Sequence, residues 1–183
     1  MADKNIAIIG LGYVGLTLAV SMAEKGFSVT GIETNKKVLK VLSTKKSHFY
    51  EPNLSAKLKK QIDKGNLKIT NKIVKQNNFT VYIICVGTPL IKNKPNLSFI
   101  KNATREVSKN LNNKSIIIYR STVPLGTTEN ILKPIIDTNC KNKFYQICFC
   151  PERTAQGSAL TELKIMPQII GSIDEDSANR AKK

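Results

Sequence analysis

The chain has 183 residues, 41% of them hydrophobic, which is enough for one globular domain with a substantial core. Lys and Arg outnumber Asp and Glu by 29 to 13, so the formal net charge is +16. A transmembrane helix is excluded because no run of about 18 apolar residues occurs, and the N-terminal residues do not resemble a signal peptide. We therefore expect a cytoplasmic protein that has no membrane partner.

The basic residues are scattered along the chain and are not interleaved with aromatic side chains, so we expect no nucleic-acid partner. Two interpretations of the positive charge stay open. It is either a solvated lysine surface or a field that attracts small anionic ligands.

Short apolar runs recur between helix-length amphipathic segments, at residues 6–9, 28–32, 67–69, 81–86, 115–119 and 146–149. Alternation of buried strands with helices is typical of a parallel sheet that is covered by helices on both faces. The runs therefore predict a doubly wound, Rossmann-like α/β fold, in which ligands bind beyond the carboxyl ends of the strands.

The segment between the first two runs has helical periodicity, with apolar residues at Leu16, Ala19, Val20 and Ala23. Gly26 follows at the position where a helix commonly ends in a left-handed residue. The first run, this helix and the second run therefore predict a strand–helix–strand unit.

A glycine motif, Gly10, Gly12 and Gly15, directly follows the first predicted strand and opens the first helix. In such a motif the first glycine makes a tight turn, the second lets a pyrophosphate approach the backbone, and the third lets helix and strand pack closely. A glycine-rich turn without a ligand is the alternative.

Glu33 closes the second predicted strand, where a carboxylate can accept the hydroxyls of a ribose. A carboxylate there repels a 2′-phosphate, so NAD is favoured over NADP as the cofactor. Lys36 and Lys37 lie close by in the chain and keep the NADP alternative open.

Two polar loops follow the fourth and fifth predicted strands. Thr88, in CVGTP, can hydrogen-bond a ribose or a phosphate, although a plain strand-ending turn fits the pattern as well. The loop STVPLGTT carries hydroxyls that can hold a water or a phosphate oxygen, and its alternative is an ordinary helix N-cap. Its hydroxyl residues are Ser121, Thr122, Thr127 and Thr128.

The stretch CFCPER ends the sixth predicted strand. We expect Cys148 and Cys150 on opposite faces of the sheet as buried structural thiols, and we predict no metal site. Pro151 ends the strand, and Glu152 emerges at its carboxyl end. Taken by itself, Glu152 fits a surface salt bridge with Arg153.

A weaker strand is predicted at residues 168–170, and an acidic segment after it predicts the start of a helix. We therefore divide the chain into a dinucleotide-binding domain at residues 1–171 and the start of a helix at residues 172–183, which would lead to an absent central region.

Six ordered features resemble the N-terminal NAD-binding domain of the UDP-glucose/GDP-mannose dehydrogenase family: GLGYVGL, the acidic end of the second strand, FYEPNL, CVGTP, STVPLGTT and PERTAQG. Members of this family oxidise the C6 alcohol of a nucleotide sugar to a carboxylate, using NAD and a cysteine-bound thioester. The stretch that begins with PERTAQG is more similar to the branch that acts on UDP-N-acetylmannosamine or UDP-N-acetylglucosamine than to the UDP-glucose branch.

The resemblance implies roles for individual residues. Thr122 would position a catalytic water, and Glu152 would act with it in thioester hydrolysis. Substrate contacts are implied for Glu152, Arg153 and Thr154, while Gln156 replaces a second glutamate of the UDP-glucose branch. The implied NAD-binding residues are Gly10, Gly12, Tyr13, Val14, Gly15, Glu33, Thr88 and Thr122.

The family's nucleophilic cysteine motif does not occur in these 183 residues. We therefore expect the NAD-binding part of a truncated or split dehydrogenase, inactive by itself, whose UDP-sugar is bound by other segments or by the remaining half of the enzyme. The alternative is a stand-alone dinucleotide-binding module without catalysis.

Overall fold

The computed structural model describes residues 5–74, 78–140 and 144–182. Its strands are β1 (Asn5–Ile9), β2 (Ser28–Ile32), β3 (Leu67–Thr70), β4 (Val81–Ile84), β5 (Leu90–Ile91), β6 (Lys94–Pro95), β7 (Ser115–Tyr119), β8 (Tyr145–Phe149) and β9 (Gly171–Ser172). Its α-helices are α1 (Tyr13–Glu24), α2 (Lys36–Ser43), α3 (Leu54–Asp63), α4 (Ser98–Ser108), α5 (Lys133–Asn139), α6 (Ala159–Ile165) and α7 (Glu175–Ala181).

The main sheet has seven strands in the order β3-β2-β1-β4-β7-β8-β9. All neighbouring strands are parallel except β9, which pairs antiparallel with β8. Reading outward from β1, the chain first builds one half of the sheet and then crosses to build the other, which is the doubly wound order. The predicted α/β fold class is therefore confirmed.

Side chains alternate along β1, so this central strand supplies both hydrophobic layers. Ile6 and Ile8 belong to a cluster packed under α1, α2, α3 and α6, whereas Ala7 and Ile9 belong to a cluster packed under α4 and α5. Burial on both faces explains why the strand reads as a continuous apolar run and not as an alternating pattern.

The first helix ends as its sequence predicts. Gly26 has φ +89°, and its N–H donates to the carbonyl of Ala23, while the N–H of Phe27 donates to the carbonyl of Met22. This pair of hydrogen bonds satisfies carbonyls that the helix end leaves open, in a left-handed conformation that glycine adopts without strain.

Two features differ from the sequence expectation. The hairpin β5–β6 was not predicted, because its residues are exposed and only two pair on each side. The last strand lies at Gly171–Ser172 and not at residues 168–170, since the chain meets the edge of β8 only after Ile170.

The C-terminal segment packs on the sheet through α7. Ser177 is fully buried, and its carbonyl accepts a hydrogen bond from the thiol of Cys148 in β8. The proposed division of the chain at residue 171 stays a prediction.

The expectation that Cys148 and Cys150 lie on opposite faces was wrong, because side chains two residues apart in a strand share a face. Consistent with a shared face, Cys150 contributes to raising the pKa of the Cys148 thiol. Both thiols are buried.

Among the described residues, no helix is long and apolar enough to cross a membrane. Within the same residues, no group of three or more His, Cys, Asp or Glu side chains is arranged to hold a metal ion.

Candidate functional site

Because β1, β2, β4, β7 and β8 are parallel, the loops that follow them leave the sheet at the same edge. These loops and the first turn of α1 carry every residue that the sequence predicted for cofactor or substrate. The carboxyl edge of a doubly wound sheet is where such folds bind their ligands.

The glycine loop, residues 10–15 including the first turn of α1, has the three properties that a pyrophosphate site needs. Gly10 has φ +89°, so it makes the tight turn. A Cβ atom at Gly15 would lie 1.8 Å from the carbonyl oxygen of Gly10, so only glycine lets α1 start this close to the loop. A Cβ atom at Gly12 would meet nothing within 4 Å, so the backbone before α1 faces open space. The N–H groups of the first turn of α1 are thus available to an anion.

Tyr13 and Val14 occupy that first turn. Val14 is half-buried against the core cluster.

Glu33 is fixed beside the glycine loop by backbone amides. The N–H of Leu11 donates to its Oε2 atom at 2.9 Å, and the N–H groups of Thr34 and Asn35 donate to its Oε1 atom at 2.8 Å. The carboxylate therefore joins the end of β2 to the loop after β1. These three hydrogen bonds hold the carboxylate at the carboxyl end of β2, and its role toward a ribose stays a prediction.

Thr88 and Thr122 are brought together by the structure. The hydroxyl of Thr88 donates to the carbonyl of Thr122 at 2.7 Å, and the hydroxyl of Ser121 donates to the carbonyl of Val86 at 2.7 Å. These two hydrogen bonds link the loops after β4 and β7, and they leave the side chain of Thr122 exposed.

Glu152 forms a buried ion pair with Arg120. The Nη2 atom of Arg120 lies 2.5 Å from Oε2 of Glu152, and the two side chains are only 6% and 8% exposed. The Nη1 atom of Arg120 also donates to Gln168 at 3.0 Å and to the Cys150 thiol at 3.2 Å. The interpretation of Glu152 as a surface salt bridge with Arg153 was therefore wrong.

The other oxygen of Glu152 organises the chain that follows it. Its Oε1 atom accepts hydrogen bonds from the N–H groups of Arg153 at 2.8 Å and Thr154 at 2.9 Å. The side chain of Arg153 is exposed, and that of Thr154 is half-buried. The predicted substrate residues thus belong to a turn that is built around the Glu152 carboxylate.

Opposing influences act on the pKa of Glu152. Burial raises it, but the hydrogen bond and the charge of Arg120, together with the two amide hydrogen bonds, outweigh burial. The pKa of Glu152 lies below its ordinary value, so this carboxylate is ionised at neutral pH.

The four cysteines are all buried thiols. Burial raises the pKa of Cys85 to about 12 and that of Cys148 to about 11, and it also raises the pKa of Cys150. Since the thiolate is the nucleophilic form of cysteine, these three residues are unreactive thiols in the folded chain.

Sequence reasoning missed two residues of the site, Arg120 and Glu51. Arg120 directly follows β7 at the carboxyl edge of the sheet. Its position at the end of a predicted strand could therefore have indicated a site residue from the sequence. Glu51 lies in FYEPNL, and its 6% exposure could not be inferred from the polar residues around it.

Comparison with known proteins identifies the relatives of the chain. The NAD binding domain of the UDP-glucose/GDP-mannose dehydrogenase family matches residues 4–183. The UDP-N-acetyl-D-mannosamine dehydrogenase of Methanocaldococcus jannaschii is 38% identical over 184 residues, covering 98% of this chain and 42% of the relative. That of Pyrococcus horikoshii is 34% identical over 182 residues, covering 98% of this chain and 43% of the relative. The chain thus spans less than half the length of these relatives.

Solved structures show the same fold. A ternary complex of GDP-mannose dehydrogenase from Pseudomonas aeruginosa matches with a TM-score of 0.90 at 28% identity, covering 97% of this chain and 43% of that one. The UDP-N-acetyl-D-mannosamine dehydrogenase of P. horikoshii matches with a TM-score of 0.87 at 33% identity, with the same coverage of the two chains. The chain therefore belongs to the UDP-glucose/GDP-mannose dehydrogenase family, of which it is an NAD-binding domain.

Proposed function

We propose that this chain is the cofactor-binding part of a nucleotide-sugar 6-dehydrogenase, of the branch that oxidises a UDP-N-acetylhexosamine at C6. The observation that carries the proposal is the open backbone at Gly12, bounded by Gly10 and Gly15 at the carboxyl edge of the sheet. The similarity to UDP-N-acetyl-D-mannosamine dehydrogenases supports the choice of branch.

In this proposal the backbone of the glycine loop receives the pyrophosphate of NAD. The N–H groups of Tyr13 and Val14, at the start of α1, would donate hydrogen bonds to the phosphate oxygens. Glu33 would accept a hydrogen bond from a ribose hydroxyl. Its carboxylate, which backbone amides hold in place, disfavours a 2′-phosphate. Thr88 contributes from the loop after β4 to the ribose side. When bound, NAD supplies the acceptor for the hydride that leaves the sugar.

The substrate side in this proposal consists of Thr122 and the turn at residues 152–154. Thr122 has an exposed side chain whose hydroxyl can orient a water, and Glu152 supplies the carboxylate of the hydrolytic step. Arg120 keeps Glu152 ionised and in place. Arg153 and Thr154 contact the sugar nucleotide.

Taken by itself, the chain binds NAD and does not complete the oxidation. A thioester needs a reactive thiolate, whereas the cysteines here are buried. The nucleophile and the groups that hold the uridine nucleotide would come from segments outside these 183 residues or from a partner subunit. Without a nucleophile, the chain acts as a dinucleotide-binding module.

Turnover by the purified chain tests this proposal. The chain is mixed with NAD and either UDP-N-acetylmannosamine or UDP-N-acetylglucosamine, and NADH is followed by its absorbance. We expect no NADH above the rate without protein, while NADH itself binds. Sustained NADH formation would contradict the expectation that the chain is inactive by itself, and failure to bind NADH would contradict the assignment of the glycine loop.

A further inference from the structure

Glu51 is a buried carboxylate that the proposed reaction does not use. It lies in the connection between α2 and α3, and its side chain is 6% exposed. A buried carboxylate is costly unless hydrogen-bond donors surround it. The polar groups around Glu51 come from two distant parts of the chain, Tyr13 at the start of α1 and the segment that follows Glu152.

The first set of donors lies at the start of α6. The N–H of Gly157 donates to Oε2 of Glu51 at 2.8 Å, and the N–H of Leu160 donates to its Oε1 atom at 3.3 Å. Glu51 thus holds residues 157–160 from outside. Glu162 holds the same region from within, since its carboxylate accepts from the N–H of Ala155 and the hydroxyl of Ser158.

The second connection runs through Tyr13 of the glycine loop. Its hydroxyl donates to the carbonyl of Ala155 at 2.5 Å and lies 3.4 Å from Oε2 of Glu51. Burial and the Glu51 charge raise the pKa of Tyr13 to about 12, so the phenol keeps its proton. The ring also packs edge-on against Phe49, with ring centroids 5.4 Å apart.

We propose that Glu51 is a positioning residue whose carboxylate holds residues 155–160 against Tyr13, so that the cofactor loop and the adjoining substrate-side turn move as one unit. This inference rests on the proposed function, because it takes the glycine loop as the cofactor site and residues 152–154 as the substrate side. Cofactor bound at the glycine loop then restrains the turn that carries Glu152, Arg153 and Thr154.

Amide hydrogen exchange in the ¹⁵N-labelled chain without cofactor tests the positioning role directly. In Glu51→Ala, the amides of Gly157 and Leu160 lose a charged acceptor and should exchange about tenfold faster or more. Glu51→Gln keeps one acceptor oxygen and should give a smaller effect. Glu162→Ala is the matched control, since it removes the acceptor of Ala155 and leaves those of Gly157 and Leu160 in place.

Exchange at Gly157 and Leu160 that stays at the wild-type rate in Glu51→Ala would overturn the inference. Because this comparison needs no cofactor, it decides the role of Glu51 even where NADH does not bind. Absence of NADH binding by the wild-type chain would instead contradict the proposed function.

The coupling to the cofactor has a readout that a purely structural role would not change. Saturating NADH should slow exchange at Gly157 and Leu160 further in the wild-type chain. Tyr13→Phe keeps Glu51 and the ring but loses the hydroxyl that bridges the two segments. In this variant we expect the cofactor-free protection to remain and the added protection by NADH to be lost. Equal added protection in both proteins would show that Tyr13 does not transmit the effect.

Discussion

Gly12 and Gly15 are three residues apart, yet only one of them has room for a side chain. A methyl group at Gly12 points into open space, whereas at Gly15 it meets the carbonyl oxygen of Gly10. The fold therefore requires glycine at position 15 but not at position 12, where the proposed cofactor is what requires it.

Alanine substitutions separate these two requirements. Gly12→Ala should change the free energy of unfolding by no more than about 1 kcal/mol, the range of N-cap effects. Gly15→Ala should cost about 3 kcal/mol, the upper end of typical overpacking, because the backbone has to shift. Urea denaturation followed by circular dichroism measures both values. Equal losses in the two variants would contradict the assigned roles.

Arg120 and Glu152 stabilise the fold only as a pair. Arg120→Met leaves Glu152 buried without its cation, so we expect a loss of about 3–5 kcal/mol in the free energy of unfolding at pH 7. The double substitution to Met at both positions removes the buried charge and should recover most of this loss. A double variant as unstable as Arg120→Met would show that packing and not charge sets the cost.

The pH dependence of the free energy of unfolding also tests the ion pair between Arg120 and Glu152. In the wild-type chain the pKa of folded Glu152 is lowered, so its stabilisation is present above its ordinary pKa and is lost as the pH falls through the folded pKa. In Arg120→Met, burial dominates and raises the pKa of Glu152. Protonation of Glu152 then removes the buried charge and with it the loss of stability. The loss caused by Arg120→Met should therefore shrink between pH 7 and pH 5, as measured by urea denaturation at each pH. A loss that stays constant would contradict this account.

At the scale of elements, α7 begins at the N-cap Asp174 and packs on β8 through Ser177. Asp174 accepts hydrogen bonds from the N–H and the hydroxyl of Ser177, which lies over the Cys148 thiol of β8. Asp174→Ala should cost about 1 kcal/mol and increase labelling of Cys148 by a thiol reagent, because α7 opens more often. Asp174→Asn keeps a capping oxygen and is the control. Unchanged labelling in Asp174→Ala would show that α7 does not protect the Cys148 thiol from the reagent.

The elements that the sequence predicted well are those with a strong local pattern. The strand β7 reads as a continuous apolar run because both of its faces are covered. The hairpin β5–β6 was missed, since Leu90 and Ile91 are 68% and 55% exposed and carry no burial pattern. Its turn has positive φ at both Lys92 and Asn93. In the sequence only the asparagine indicates such a turn, and it does so weakly.

At the scale of the whole molecule, the sheet order decides which loops meet. The glycine loop, Glu33 and the loops after β4, β7 and β8 were placed at one edge from the sequence, because parallel strands end on the same side. The contacts between these loops were not predictable. Arg120 and Glu152 are 32 residues apart in the chain, and Glu51 and Gly157 are 106 apart, so no local periodicity connects them.

Calorimetric titration of the purified chain with NADH tests the central claim, that this domain binds NAD through its glycine loop. We predict saturable binding with a Kd below about 1 mM, at least about tenfold weaker binding of NADPH because of Glu33, and no binding by a folded Gly12→Val variant. Absence of heat at about 1 mM NADH, or an affinity that Gly12→Val leaves unchanged, would contradict the claim.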